Sequence, residues 1–83
     1  MNGTFSLDID PPARGSTVTV SATGGSQGAV TVTLTDETGR FYTIDITVDA
    51  SGNGSASTTI PGDWGGALTI SATGYNDFNT AVS

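Results

Sequence analysis

The chain has no cysteine, no histidine and no lysine. Without cysteine it can form no disulfide framework, thiol nucleophile or cysteine-bearing zinc site. Without histidine it lacks the commonest general base and the only side chain that ordinarily titrates near neutral pH. Serine and threonine are abundant, but neither histidine nor lysine is there to activate a hydroxyl as a nucleophile. The composition therefore predicts a protein that is not an enzyme.

Positive charge is also scarce, because two arginines stand against eight acidic residues and the net charge is −6. A nucleic-acid binder needs a positive footprint to displace counterions, and anionic membranes attract basic segments in the same way. No apolar run approaches the length of a membrane span. We therefore expect partners that are neither nucleic acids nor membranes, and no cofactor. Calcium is the one ion that the acidic composition suits.

Apolar residues alternate with polar ones in seven short segments, each ended by glycine-, proline- or aspartate-rich turn signals. Such period-two patterning predicts strands that bury one face, and the absence of helical periodicity leaves an all-β domain over residues 1–83. The side chains predicted to point inward are Phe5, Leu7, Ile9, Val18, Val20, Ala22, Val30, Val32, Leu34, Tyr42, Ile44, Ile46, Val48, Ala56, Thr58, Ile60, Leu68, Ile70, Ala72, Phe78, Thr80 and Val82.

The segments "TVDASGNGSASTTIP" and "PGDWGGALTISATG" resemble bacterial and phage immunoglobulin-like modules, including those of the fibronectin-III-like type. The positions that carry the resemblance are Asp49, Gly52, Pro61, Gly66, Leu68, Ile70 and Ala72. It implies a seven-stranded Ig-like Greek-key β-sandwich without catalytic residues. The cysteine pair and core tryptophan of antibody domains are missing. Lysine, which related surface domains use in a Lys–Asn isopeptide bond, is missing as well.

The resemblance also implies a function: a spacer, adhesion or surface-binding module of an extracellular bacterial surface protein or of a phage virion. Its partners would be neighbouring domains of a larger protein, or a glycan or protein on a cell surface. A small carbohydrate-binding module, with or without calcium, is the alternative. An engineered scaffold is a third interpretation, which the absence of lysine disfavours because designs normally use lysine for solubility.

The segment "GYNDFN" at residues 74–79 is the best candidate for a binding loop. Tyr75, Asn76 and Asp77 combine rigid aromatic area with adaptable hydrogen bonding, as recognition loops do. In an immunoglobulin-like order this loop would lie beside the glycine-rich loop at residues 24–28. The alternative is an ordinary hairpin in which Tyr75 or Phe78 caps the core.

Two other aromatic residues are candidate partner contacts. Trp64 is predicted to plug one end of the sandwich, with stacking on a sugar as the alternative. Phe41 falls on the outward phase of its strand and is predicted to contact a neighbouring domain or subunit.

Asp8, Asp10 and Asp77 are the candidate calcium ligands, since hard cations prefer carboxylate oxygens. Asp8 and Asp10 have an alternative interpretation as charges that protect an edge strand from unwanted pairing. Arg14 and Arg40 stand beside glycines in turns, where we expect solvated charges, and Asp36, Glu37 and Asp63 are expected as acidic turn residues.

Overall fold

The computed structural model describes residues 3–9 and 11–83, and it contains seven β-strands in two antiparallel sheets. The strands are β1 (Thr4–Leu7), β2 (Thr17–Thr23), β3 (Gly28–Thr35), β4 (Phe41–Val48), β5 (Gly54–Thr59), β6 (Gly66–Ser71) and β7 (Phe78–Val82). In the described part of the chain there is no helix, and hence none long and apolar enough to span a membrane.

The strands form one sheet of order β1-β2-β5 and another of order β4-β3-β6-β7. Two pairings, β2 with β5 and β3 with β6, join strands that are not consecutive in the chain. Both sheets contribute side chains to a single hydrophobic cluster. This arrangement confirms the predicted all-β class and is consistent with a β-sandwich.

The alternation of the sequence places the core. Val18 and Val20 from β2 meet Val32 and Leu34 from β3 and Ile46 from β4, all with no measurable exposure. The other buried hydrophobic residues are Phe5, Ala22, Val48, Ile60, Trp64, Leu68, Ile70 and Val82. Threonines and serines take most of the outward positions of strands β1 to β6, because a β-branched hydroxyl residue suits a pleated, solvated surface.

The prediction that Ile9 points into the core is wrong, because the side chain is 41% exposed. Strand β1 ends at Leu7, and the next residue changes the hydrogen-bonding pattern. The Asp8 amide donates to the Thr19 carbonyl at 3.2 Å, while the Thr19 amide donates to the Asp8 carboxylate at 2.7 Å. The carboxylate thus replaces a backbone acceptor, so the chain leaves the ladder and Ile9 turns to solvent.

The molecule has two distinct ends along its 36 Å long axis. An eight-residue strand spans about 26 Å, so this axis follows the strands. The tyrosine end consists of the loops at residues 24–27, 49–53 and 72–77. The arginine end consists of the loops at residues 8–16, 36–40 and 60–65.

One pair of substitutions tests which side chains of β4 point into the core. We expect Ile46→Ala to lower the free energy of unfolding by about 2–4 kcal/mol, because it leaves a cavity between the sheets. Thr43→Ala, on the exposed face of the same strand, should change it by less than about 0.5 kcal/mol. Urea unfolding followed by tryptophan fluorescence measures both, and equal losses would contradict the assigned faces.

Candidate functional site

The predicted binding loop at residues 74–79 lies at the tyrosine end and is tied to the start of the chain. The Gly3 amide donates to the Gly74 carbonyl at 2.8 Å, and the Asn76 amide donates to the Gly3 carbonyl at 2.9 Å. These bonds form a parallel bridge between Gly3 and Tyr75. Gly3, just before β1, is therefore hydrogen-bonded to the loop that precedes β7, a strand of the other sheet.

The ring of Tyr75 is packed into this junction rather than presented to solvent. It stacks on Phe5 with ring centroids 4.7 Å apart and an interplanar angle of 22°. A Cβ added at Gly3 or at Gly25 would overlap the tyrosine side chain, so both glycines are required by its close approach. Because Gly25 belongs to the loop at residues 24–28, the two loops are adjacent, as the immunoglobulin-like order predicts.

The hydroxyl of Tyr75 is buried, and it has no hydrogen-bond partner among the described residues. A buried polar group without a partner forfeits hydration and gains nothing in return. The placement matches the interpretation of Tyr75 as a cap on the core. Asn76 and Asp77, by contrast, are exposed at the tip of the loop, where they remain candidate contact residues.

The arginine end is organised by a hydrogen-bonded carboxylate, Asp36, whose side chain is only 1% exposed. Its Oδ1 accepts from the amide and hydroxyl of Thr38 and from the amide of Arg40, at 2.8–2.9 Å. Its Oδ2 lies 2.7 Å from both Nε and Nη2 of Arg40. Asp36 thus fixes the turn between β3 and β4.

Arg40 extends this network to the next loop. Its Nη1 donates to the Asp63 carboxylate at 2.6 Å, and its Nη2 donates to the Asp63 carbonyl at 2.9 Å. The guanidinium therefore joins the turn after β3 to the loop between β5 and β6. The prediction that Arg40 is a solvated charge is wrong. Its side chain is 45% exposed, but its guanidinium bridges the carboxylates of Asp36 and Asp63.

The environment of Asp36 shifts its pKa. Burial works to raise the pKa of the carboxyl, because desolvation penalises the charged form. Hydrogen bonds from the Thr38 hydroxyl and from the Arg40 and Thr38 amides favour the charged form, as does the Arg40 side chain. These donors outweigh the burial, so the pKa of Asp36 lies below its ordinary value.

Trp64 and Phe41 have opposite environments. Trp64 is 4% exposed and packs against Tyr42, with ring centroids 5.2 Å apart. This matches the predicted plug, and stacking on a sugar would require the indole to leave the core. Phe41 is 67% exposed on the outward face of β4, opposite Thr35 in the register. Its contact with a neighbouring domain stays a prediction.

Two of the candidate calcium ligands, Asp8 and Asp77, are not brought together. Asp8 follows the end of β1 and its carboxylate accepts the Thr19 amide, whereas Asp77 lies in the loop bonded to the start of β1. Gly3, which is bonded to the loop of Asp77, lies five residues before Asp8, and five residues of strand span about 16 Å. Asp10 lies outside the described residues. Within residues 3–9 and 11–83, no group of three or more acidic side chains is placed to hold a metal ion.

The structure encloses no pocket within the described residues, and the outward residues of the β1-β2-β5 strands carry no charge. We name this surface the hydroxyl face. It consists of Thr4, Ser6, Thr17, Thr19, Ser21, Thr23, Ser55, Ser57 and Thr59. Hydroxyls pair across the strands, as in Thr4 with Thr23 at 2.8 Å. The sequence alone does not reveal this surface, because strand order is needed to bring these residues together.

The lowered pKa of Asp36 has a consequence for stability against pH. A carboxyl with a lowered pKa in the folded state stabilises the fold above its unfolded pKa of about 3.9, and this contribution is lost as the pH falls through the folded value. We expect Asp36→Asn to be less stable than the wild type at pH 7, with the gap narrowing below about pH 4. Urea midpoints from pH 7 to pH 2 measure this gap. Asp45→Asn, at an exposed carboxylate, is the control, and an Asp36→Asn gap independent of pH would contradict the assignment.

The buried hydroxyl of Tyr75 leads to a second prediction. Tyr75→Phe removes a polar atom without a partner and keeps the stacked ring, so the free energy of unfolding should rise by about 0–1 kcal/mol. Tyr75→Ala should lower it by about 3–5 kcal/mol, because the ring fills the junction. Chemical denaturation measures both changes in the free energy of unfolding. A loss of more than about 1 kcal/mol in Tyr75→Phe would show that the hydroxyl has a partner in solution.

The chain matches no protein-family model, no curated protein and no solved structure. Its function must therefore be inferred from the geometry of the described residues. The described residues form a buried core, hydrogen-bonded loops at both ends and the hydroxyl face.

Proposed function

We propose that this chain is a non-catalytic, immunoglobulin-like module that acts as a spacer in an extracellular bacterial surface protein or a phage virion. The sheet order supports the immunoglobulin-like part of the proposal. Antibody constant domains have the strand sets A-B-E-D and C-F-G. Here β1-β2-β5 and β3-β6-β7 correspond to A-B-E and C-F-G, and the fourth strand lies beside β3 instead of β5.

The spacer role rests on one observation, the positions of the first and last described residues. Gly3 is bonded to the loop at the tyrosine end, whereas Ser83 is bonded to Pro12 and Arg14 at the arginine end. Polypeptide attached at these two points would leave in opposite directions along the 36 Å axis. Modules joined in this way extend a chain by a fixed length.

The terminal strands are also arranged to resist tension. Strands β1 and β7 both run from the tyrosine end to the arginine end, and each is bonded to a neighbour in its own sheet. Ladder hydrogen bonds lie perpendicular to the strands. Force applied at residues 3 and 83 therefore loads these bonds together rather than one after another.

The hydroxyl face and the net charge of −6 suit a module surrounded by water. Paired hydroxyls keep this face polar without charges of either sign, and net negative charge keeps copies apart. Both properties favour a soluble spacer over a surface that associates with other molecules. Phe41, near the arginine end, is the side chain we assign to contact with an adjoining domain.

A pulling experiment tests the spacer role. Attachment at cysteines introduced at Thr4 and Ser83 is specific because the chain has no other thiol. We expect one cooperative unfolding step. The 79 residue steps from position 4 to position 83 extend to about 270 Å at roughly 3.4 Å each, so the length gained should be on the order of 230 Å after subtraction of the folded 36 Å. Gradual extension without a discrete step would overturn the proposal.

The carbohydrate-binding alternative is distinguished by a second measurement. The 83-residue chain is titrated against a panel of neutral and acidic polysaccharides, with and without calcium. A spacer should give no saturable signal. Saturable binding that Asn76→Ala removes, while Thr43→Ala retains it, would favour a carbohydrate-binding module instead.

A further inference from the structure

The outward face of strands β3 and β4 carries an aromatic ring and a carboxylate, which the hydroxyl face does not. We name it the Phe41 face, and its residues are Thr31, Thr33, Thr35, Phe41, Thr43 and Asp45. At 67%, Phe41 is the more exposed of the two large hydrophobic side chains that are exposed among the described residues. Single exposed apolar residues are common on protein surfaces. What covers the ring therefore has to be inferred from the charges around it.

Asp45 lies on the same face, four residues after Phe41 along β4. Residues at even separations in a strand point to the same side, and four residues span about 13 Å. The Thr31 hydroxyl, opposite Asp45 in the register, donates to its Oδ1 at 3.3 Å. This bond holds the exposed carboxylate toward the neighbouring strand. Asp45 forms no ion pair with any described residue, so its charge is open to a cation from outside the chain.

The chain has no spare cation to cover this carboxylate. It contains two arginines and no lysine. Arg40 is paired with two other carboxylates, and Arg14 lies beside Gly65 in a loop at the arginine end. A second copy of this chain would bring the same two arginines and another net charge of −6. Charge complementarity therefore favours a basic partner that is a different protein.

From these contacts we infer that the Phe41 face binds an extended, arginine-rich segment of another protein chain. One guanidinium stacks on the ring of Phe41, and a second pairs with the carboxylate of Asp45. Guanidinium groups both stack on aromatic faces and match carboxylates with two parallel hydrogen bonds. Two arginines four residues apart in an extended segment are also about 13 Å apart. Their spacing therefore matches that of the ring and the carboxylate.

A neutral polysaccharide would cover the ring but would leave Asp45 without a counter-charge, so it fits this face less well. The inference deepens one part of the proposed function and rests on it, namely the assignment of Phe41 to contact with an adjoining domain. It does not rest on the spacer role. The pulling experiment tests that role separately, so a failure of one can be told from a failure of the other.

The probe is an end-capped peptide of sequence Arg-Ser-Gly-Ser-Arg-Ser-Gly-Ser-Arg, titrated into the isotope-labelled 83-residue chain and followed by backbone amide chemical shifts. The ionic strength is about 0.15 M, at which charges more than about 8 Å apart are largely screened. We expect saturable shifts that are largest around Phe41 and Asp45 and negligible on the hydroxyl face. The same peptide with glutamate in place of arginine should give none.

Substitutions at the two contact points separate the stacking from the ion pair. Phe41→Leu keeps an apolar side chain without a ring, and we expect binding about two- to fivefold weaker. Phe41→Trp should bind at least as tightly as the wild type, because tryptophan attracts cations most strongly.

Asp45→Asn should also weaken binding, by up to about fivefold. Its matched control is Asp77→Asn, which removes the same charge from an exposed side chain just before β7, at the opposite edge of the sheet. The control should change the affinity by less than about twofold, because a distant charge is screened. Thermal melts confirm that each variant is folded.

The absence of saturable shifts in the wild type, or shifts of equal size on the hydroxyl face, would overturn the inference. Equal weakening by Asp45→Asn and Asp77→Asn would overturn it as well, since the net charge alone would then attract the peptide. Saturable binding of a neutral polysaccharide to the same residues, without binding of the peptide, would identify a carbohydrate site instead. Self-association that Phe41→Leu abolishes would identify a second copy as the occupant and overturn the assigned partner.

Discussion

The fold depends on burying alternate side chains between two sheets. With no cysteine or histidine in the chain, and no assembled metal site among the described residues, the aliphatic core must hold seven short strands together. Val18, Val32 and Ile70 come from three different strands of two sheets and are all fully buried. A domain of this size has only a few kcal/mol of margin. Each interaction that fixes a loop against this core therefore has a measurable share in its stability.

The alternation made the core predictable, because a period of two is a local property of the sequence that the pleat converts directly into an inner and an outer face. Phe5 and Val82, at the two extremes of the chain, both lie on the predicted side. The failure at Ile9 has a physical cause that alternation does not encode. The Asp8 carboxylate competes with the backbone for the Thr19 amide and ends the strand two residues before Ile9. At sheet edges and strand ends a side chain can replace a backbone partner in the hydrogen-bond ladder. At such positions alternation no longer predicts which face a residue takes.

The sequence predicted which residues lie in the loops at the two ends of the molecule, but not which contacts those residues make. Tyr75 was correctly assigned to a loop beside residues 24–28, yet its ring fills the junction between Gly3, Phe5 and Gly25. The Asp36–Arg40 part of the network has a local signal, since an aspartate four residues before an arginine across a tight turn can pair with it. Asp63 is 23 residues farther along the chain. Only the packing of the loop after β5 against the turn after β3 reveals its role, and no spacing rule reports it.

The two ends and the two faces divide the surface into regions with different capacities for contact. The rings at both ends are already used, Tyr75 by Phe5 and Trp64 by Tyr42, so neither end offers a free aromatic platform apart from Phe41. Many hydroxyls of the hydroxyl face are hydrogen-bonded to one another, as in Thr19 with Ser57 at 3.2 Å. The edge strand β5 is covered at least in part, because β4 packs along it and the Tyr42 hydroxyl bonds to Thr58 and to the Thr59 carbonyl. The same regular alternation that builds the core therefore leaves Phe41, on the outward phase of β4, as the most exposed large apolar side chain among the described residues.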